Sequence, residues 1–147
     1  KRILYVVLQC TWGIGQTLLG LFFFLVHAKK AHHIYKNCID TRWHFSGGMS
    51  LGLFIFTPDD ESDWANEVRV HEYGHTFQSL LLGPLYAVVG VISVCWAFLP
   101  YFQRLRTQKN MPYTACFVEK WASDLGEKMT GEKAGGKVFL LDVLTNT

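Results

Sequence analysis

The sequence predicts a mainly α membrane protein, with two to three membrane-inserted helices, a short β-hairpin and a late amphipathic helix. Three observations carry that expectation. Two long stretches, Ile3 to Val26 and Thr76 to Gln103, hold no formally charged side chain. Between them lies a polar region with one short bulky run, Ser50 to Phe56. Only 18% of the residues are charged and 50% are apolar, where ordinary soluble domains carry about 25% charge. The 147 residues suffice for one domain and not for two. Residues 1–130 are expected to form a single membrane-embedded unit and residues 131–147 a flexible tail.

A bilayer core about 30 Å thick needs about 20 helical residues, and Ile3 to Val26 supplies them, with Leu18, Leu19 and Leu21 to Val26 the most apolar part. Lys1 and Arg2 resemble the start of a signal peptide. His27-Ala28-Lys29-Lys30 offers no small-residue cleavage site, so the run reads as a retained anchor. In the polar region from Ala28 to Asp63, Gly47-Gly48 reads as a turn pairing Ile39–Phe45 with Ser50–Phe56 as a hairpin. Thr57-Pro58-Asp59-Asp60-Glu61 then supplies helix-start chemistry, a capping hydroxyl, an early proline and acids at the positive end of the dipole. A helix is expected from Asp63 to Leu82.

Gly83-Pro84 breaks the second apolar stretch, because proline removes a helix hydrogen bond and restricts its predecessor. Leu85 to Gln103 is the expected spanning unit, with Trp96, Tyr101 and Phe102 toward one interface and Arg104 and Arg106 just beyond. Met111-Pro112-Tyr113 reads as a loop. Thr114 to Gly126 reads as the amphipathic helix, its apolar stripe made by Phe117, Trp121 and Leu125. Gly131 to Lys137 has the composition of a flexible tail, and Val138 to Leu144 is apolar.

The chemistry lies on the helix before the proline, where His71-Glu72-Tyr73-Gly74-His75 reads H-E-x-x-H. Residues four apart share one helix face, so both imidazoles can converge on one ion. Glu72 stands beside the first ligand, placed to take the proton of a metal-bound water. Random draws from 6 His and as many Glu in 147 residues give such a pattern about 0.01 times per chain. Gly74 costs helix stability relative to alanine and would admit the close approach of a substrate or of a neighbouring helix.

A catalytic zinc usually takes three protein ligands and leaves one position open. Glu119, Asp124, His27, His32, His33 and His44 are the candidates for the third. Glu119 leads because it lies on the amphipathic helix, which can pack against the motif helix to complete a His2Glu set. His44 could serve from the hairpin, and His32-His33 beside Lys29 and Lys30 reads as a polar cluster at the membrane interface. Tyr113 and His44 are candidates for stabilising an oxyanion.

The segment from His71 to Tyr86, followed by Val118-Glu119-Lys120-Trp121-Ala122, resembles a family of small bacterial integral-membrane proteins regarded as zinc metallopeptidases. The likeness covers most of Ile3 to Gly126. More broadly, H-E-x-x-H with a later helical glutamate is similar to the gluzincins, including membrane peptidases in which an aspartate follows in an E-x-x-x-D pattern. Here Ser123 holds that place and Asp124 comes one residue later, about 100° round the helix, which puts a supporting role for Asp124 in doubt. The resemblance implies that an extended substrate pairs with an edge strand near the motif helix. Leu51, Leu53, Phe54 and Ile55 are the expected substrate strand.

If only Ile3–Val26 and Leu85–Gln103 cross the bilayer, His71 and Glu119 fall on opposite sides. With only two crossings the basic residues divide 4 against 5 and fix no orientation. A monotopic hairpin that never crosses fully would satisfy the metal, and the conflict also goes away if the motif helix dips into the bilayer and turns back at Gly83-Pro84. Lys29, Lys30, Lys36, Arg42, Arg104, Arg106 and Lys109 then share one face against Lys1 and Arg2. The positive-inside rule makes that face cytoplasmic, and the bacterial inner membrane is the expected location.

The expected function is a membrane-embedded zinc metalloendopeptidase that hydrolyses peptide bonds near the bilayer through metal-activated water. Its partners would be the lipid bilayer and a peptide or membrane-protein substrate. The alternative is a non-catalytic membrane module, an immunity or assembly factor, with a structural metal site closed by four ligands. A transporter is a weaker reading, since two or three spans seldom enclose a pathway. Nucleic acid is not an expected partner, because 14 basic against 12 acidic residues leave no excess to neutralise many phosphates. Cys10, Cys38, Cys95 and Cys116 form no C-x-x-C pair and read as free thiols.

Overall fold

The structure, a computed structural model, describes residues 1–134. It is mainly helical with a small mixed sheet. Helices α1 (Arg2–Thr11) and α2 (Ile14–Val26) precede strands β1 (His32–Tyr35), β2 (Cys38–Trp43), β3 (Met49–Leu51) and β4 (Phe54–Pro58). Helices α3 (Asp63–Leu82), α4 (Tyr86–Phe98), α5 (Pro100–Lys109) and α6 (Phe117–Thr130) follow, with single 3-10 turns at Gly83–Leu85 and Tyr113–Ala115. Most of the expected tail, residues 135–147, lies outside the described residues. At its start, Glu132 is held by Lys36 at 2.6 Å.

The motif helix α3 spans the expected range, although its start uses other residues. Thr57 and Pro58 close β4 instead. Ser62 caps the helix, accepting the Ala65 N–H at 3.1 Å, and Asp60 Oδ1 steadies the cap by accepting the Ser62 N–H at 2.8 Å. The amphipathic helix begins at Phe117 rather than Thr114 because Tyr113–Ala115 forms a 3-10 turn.

The first apolar stretch is not one straight anchor. It bends by 94° between α1 and α2, and each piece is too short to cross a core about 30 Å thick. The polar side chains inside the run supply the reason. Gln9 donates to the Thr76 carbonyl at 3.0 Å, and its own carbonyl accepts the Thr17 hydroxyl at 2.7 Å. Gln16 donates to Ser79 Oγ and to the Gly83 carbonyl, both at 2.9 Å. These groups are satisfied only if the run folds onto α3. Trp12, at the corner, packs on Gly83, where any Cβ would overlap the indole.

The second apolar stretch differs from expectation at both ends. Gly83-Pro84 makes one 3-10 turn and does not send the chain back, so α3 and α4 run on as a helical stretch of 36 residues, Asp63–Phe98. Among the described residues this is the one unbent helical stretch long and apolar enough to cross a membrane. The Leu85–Gln103 unit ends early, since Leu99 is extended and Pro100 opens α5. Reversal happens there and at Asn110, which takes a left-handed conformation. Arg106, expected in the headgroup region, is buried with its guanidinium 4.9 Å from the Trp96 ring. The Trp96 indole N–H donates to the Tyr113 carbonyl at 2.8 Å. α6 then returns alongside α3, which brings Glu119 to the side of His71 without a turn at Gly83-Pro84.

The sheet also departs from the expected hairpin. Its order is β1-β2-β4-β3, with β2 and β4 parallel and both outer pairs antiparallel. Ser50–Phe56 is two strands, because Gly52, at φ 62°, turns the chain between them. Of the expected substrate strand only Leu51 lies on an edge. Leu53 sits in the turn, and Phe54 and Ile55 belong to β4, which is paired on both sides. A buried ion cluster ties the sheet to α3: Asp40 on β2 lies 2.8 Å from Arg42 Nε and 3.5 Å from Arg69 Nε.

Polarity in the helical part is inverted relative to a water-soluble fold. Leu18, Leu19, Phe22, Leu25 and Val26 of α2 and Val88, Val91, Val94 and Phe98 of α4 are exposed, while Gln9, Thr17, Thr76, Gln78 and Ser79 are buried. The tightest contact joins α3 and α6. A Cβ on Gly74 would overlap the Ala122 carbonyl, and one on Gly126 would overlap the Val70 carbonyl. Gly74→Ala is therefore expected to cost at least about 1–3 kcal/mol, read as a lower thermal midpoint. Gly90→Ala, at a helical position open to space, should be neutral or stabilising by up to about 1 kcal/mol.

Candidate metal centre

The inner face of α6 carries Glu119, Ala122, Ser123 and Gly126, spaced as neighbours on one helical stripe. Against it α3 presents Val70, His71, Gly74, His75 and Gln78. Gly74 on α3 and Ala122 and Gly126 on α6 set the distance, and the polar residues beside them meet. Glu119 Oε2 lies 3.1 Å from His71 Nε2 and 3.3 Å from His75 Nε2, and the two imidazole nitrogens are 3.1 Å apart. Donors held at about 2.0–2.1 Å by a tetrahedral ion stand about 3.3–3.4 Å from one another, so this triangle is close to one face of such a tetrahedron. All three side chains are buried and their ligand atoms converge, so the group can hold a metal ion.

Each ring is oriented by a partner on its other nitrogen. The Gln78 amide donates to the Val118 carbonyl at 2.8 Å, which turns its oxygen toward His75. That oxygen accepts from His75 Nδ1 at 2.7 Å. Nδ1 therefore carries the proton, and Nε2 presents its lone pair to the centre. Ser123 Oγ lies 2.9 Å from His71 Nδ1 and holds that ring in the same way. Burial would raise the Glu119 carboxyl, but the adjacent His75 and His71 rings outweigh it and hold the group below the usual carboxylate range. Its other oxygen, Oε1, is buried with no hydrogen-bond partner among the described residues, as expected of a carboxylate whose charge a cation would balance.

Glu72 is buried next to His71 but is not one of the three converging donors. It stands against Gly48, where a Cβ would overlap its Cγ and Oε1. Two indoles hold the loop that carries this glycine. Trp43 Nε1 donates to the Gly47 carbonyl at 2.8 Å, and Trp64 Nε1 donates to the Ser46 carbonyl at 2.9 Å. β3 begins at the next residue, so one short segment walls Glu72 and then forms the sheet edge.

Other expected site residues fall elsewhere. Asp124 points outward and pairs with Lys120 at 2.7 Å, in keeping with its rotation from the Glu119 face. His44 is exposed with its ring 4.0 Å from that of Phe45, out of the group. His32 instead contacts Thr41 Oγ1 at 2.9 Å, and His27 packs on Trp43 and Phe56. The Tyr113 ring sits 5.3 Å from the Arg106 guanidinium, and burial together with the negative charges of Glu119 and Glu72 pushes its hydroxyl well above the usual phenol range.

Ser123, Gln78, Gly48 and Tyr86, whose ring lies 6.4 Å from that of His75 between centroids, border the three donors and are not expected from the sequence. A signal existed for the first two. Ser123 occupies the place four residues after Glu119, and Gln78 is a lone amide one helical face on from His71 and His75. Gly48 reads only as a turn, and the position of Tyr86 depends on the α3–α4 junction continuing. The chain matches no protein-family model, no curated protein and no solved structure.

Removing the hydroxyl that orients His71, in Ser123→Ala, should weaken divalent-metal binding about 10–100-fold. Competition against a chromophoric chelator measures this. Asp124→Ala, on the opposite face, should leave it unchanged.

Proposed function

We propose that this protein is a zinc metalloendopeptidase that works at a membrane and cleaves a peptide or membrane-protein segment near the bilayer. One observation carries the reading: His71, His75 and Glu119 converge within ligand distance, with the carboxylate of Glu72 beside them. Among the described residues no fourth His, Cys, Asp or Glu joins the group, whereas a structural zinc site is normally closed by four ligands. The donor set suits zinc, which accepts nitrogen and carboxylate ligands in tetrahedral geometry.

Held by His71, His75 and Glu119, a zinc ion would supply Lewis-acid chemistry for the scissile carbonyl and make a water more acidic. The protein's own groups do the rest. Glu72 takes the proton of the attacking water and hands it to the departing amine. Gly48 leaves room for that carboxylate, and its loop, pinned by Trp43 and Trp64, keeps it from swinging away. Gln78 and Ser123 keep the imidazole lone pairs on the centre. The three-residue edge strand β3, one residue beyond Gly48, offers main-chain groups to an extended substrate. This corrects the longer strand expected over Leu51–Ile55.

The outward apolar faces of α2 and α4 support a bilayer as their surroundings, and the bacterial inner membrane is the location proposed. Polar groups near so apolar a surface are costly unless they serve a site, which also favours a working centre over an incidental cluster.

Glu72→Gln should keep stoichiometric zinc and abolish peptide hydrolysis, while His75→Ala should lose the metal. Zinc analysis of each purified variant beside a cleavage assay separates the two, and hydrolysis retained by Glu72→Gln defeats the proposal. Gly48→Ala, whose methyl group displaces the base, is expected to retain zinc and lose at least about tenfold in kcat. Release of the protein from membranes by a carbonate wash would count against the bilayer location.

A further inference from the structure

The unpaired edge of β3, where Ser50 is buried, is capped by a side chain. Leu51 and Phe54 flank the two-residue loop Gly52-Leu53, with Gly52 at φ 62°. In such a hairpin the flanking residues form a hydrogen-bonded pair, and bonded and non-bonded pairs then alternate. Ser50, opposite Ile55, is the non-bonded position, so its N–H and carbonyl face away from β4. The Tyr86 hydroxyl donates to that Ser50 carbonyl at 3.3 Å, longer than the usual O–H···O distance of about 2.7–2.8 Å and so readily exchanged.

Tyr86 stands where it can do more than cap an edge. It is buried at the start of α4, held there because the Gly83–Leu85 turn carries α3 onward. Its ring meets that of His75 edge-on, with centroids 6.4 Å apart. One phenol therefore touches the sheet edge at Ser50 and lies beside His75, one of the three converging donors.

We propose that the Tyr86 hydroxyl is a catalytic group that changes partners on substrate binding. An extended peptide added to the β3 edge brings its own N–H to the Ser50 carbonyl and displaces the phenol. The freed hydroxyl donates instead to the carbonyl oxygen of the bond under attack, and stabilises the negative charge that develops there. The phenol keeps its proton throughout, and no covalent bond to Tyr86 forms or breaks. Substrate occupancy of the edge and completion of the oxyanion site thus become one event. The inference rests on the peptidase reading above.

The test compares the zinc-loaded full chain with Tyr86→Phe on a peptide that the wild type cleaves. Losing one oxyanion donor should lower kcat about 100-fold, with KM unchanged or reduced because the edge carbonyl no longer has to be vacated. A phosphinic analogue of the same peptide, which mimics the tetrahedral oxyanion, should bind Tyr86→Phe more weakly by a similar factor. Binding of the uncleaved peptide to Glu72→Gln should not weaken when Tyr86→Phe is added. A kcat within twofold of wild type overturns the exchange, as does a loss confined to KM. Loss of zinc or of the thermal transition in Tyr86→Phe also overturns it, by making the hydroxyl structural. The same fall in kcat in Tyr113→Phe, with Tyr86→Phe active, moves the role to Tyr113. A wild type that cleaves and binds no peptide removes the peptidase reading as well; cleavage equal in wild type and Tyr86→Phe removes this inference alone.

Discussion

Gly74 and Gly126 let the backbones of α3 and α6 touch, and the carboxylate of Glu119 reaches the two imidazoles because they do. Helices usually pack about 8–10 Å apart, with side chains filling the gap. Here a methyl group at either glycine would overlap a carbonyl of the opposite helix. The approach carries a cost, since glycine within a helix is unfavourable by about 1 kcal/mol. That cost is accepted in the middle of the H-E-x-x-H motif and seven residues after Glu119. The same contact draws Ser123 to His71 and the Gln78 amide to the Val118 carbonyl, so ligands and their supports are set by one helix crossing.

Around this crossing the fold is arranged with its polar groups inward. Gln9, Gln16 and Thr17 interrupt otherwise apolar helices, and each finds its partner on a neighbouring turn or on α3 and the Gly83 carbonyl. A buried amide must find its partners within the protein, so these residues bend the first apolar run and fasten it to the motif helix. The apolar side chains are left facing outward. Gln9 and Gln16 also converge on Ser79, which both contact, and thereby brace the end of α3 that carries His75 and Gln78.

The sheet serves the centre from the other side. The Asp40–Arg42–Arg69 cluster joins β2 to α3 two residues before His71, and the Trp43 and Trp64 indoles pin the loop before β3. Glu72 is thus enclosed by elements fixed independently of α6. Glu72 and Glu119 come from different helices, and α3, which carries Glu72 and both histidines, is the common reference for the group.

Much of this was legible in local chemistry. The H-E-x-x-H spacing, the helix from Asp63 to Leu82 and the choice of Glu119 follow from helical periodicity and ligand type, which depend on near neighbours in sequence. The inward-facing Ser123 follows from the same periodicity once Glu119 is placed, and so does the outward-facing Asp124. Apolar length could not reveal the bend at Trp12-Gly13, because the hydrogen bonds that require it go to residues about 67 positions away. Nor could Gly83-Pro84 be read correctly: the same dipeptide can reverse a chain or make a single 3-10 turn, and packing against Trp12 decides which. Strand partners were ambiguous for the same reason, since β2 pairs with β4 in parallel across an intervening strand. The amino-acid sequence by itself determined the donors and their helical faces, which are properties of one helix at a time. Only the tertiary structure decided how near those faces come, where the sheet edge lies and which tyrosine meets it, because each depends on contacts between segments that no local preference specifies.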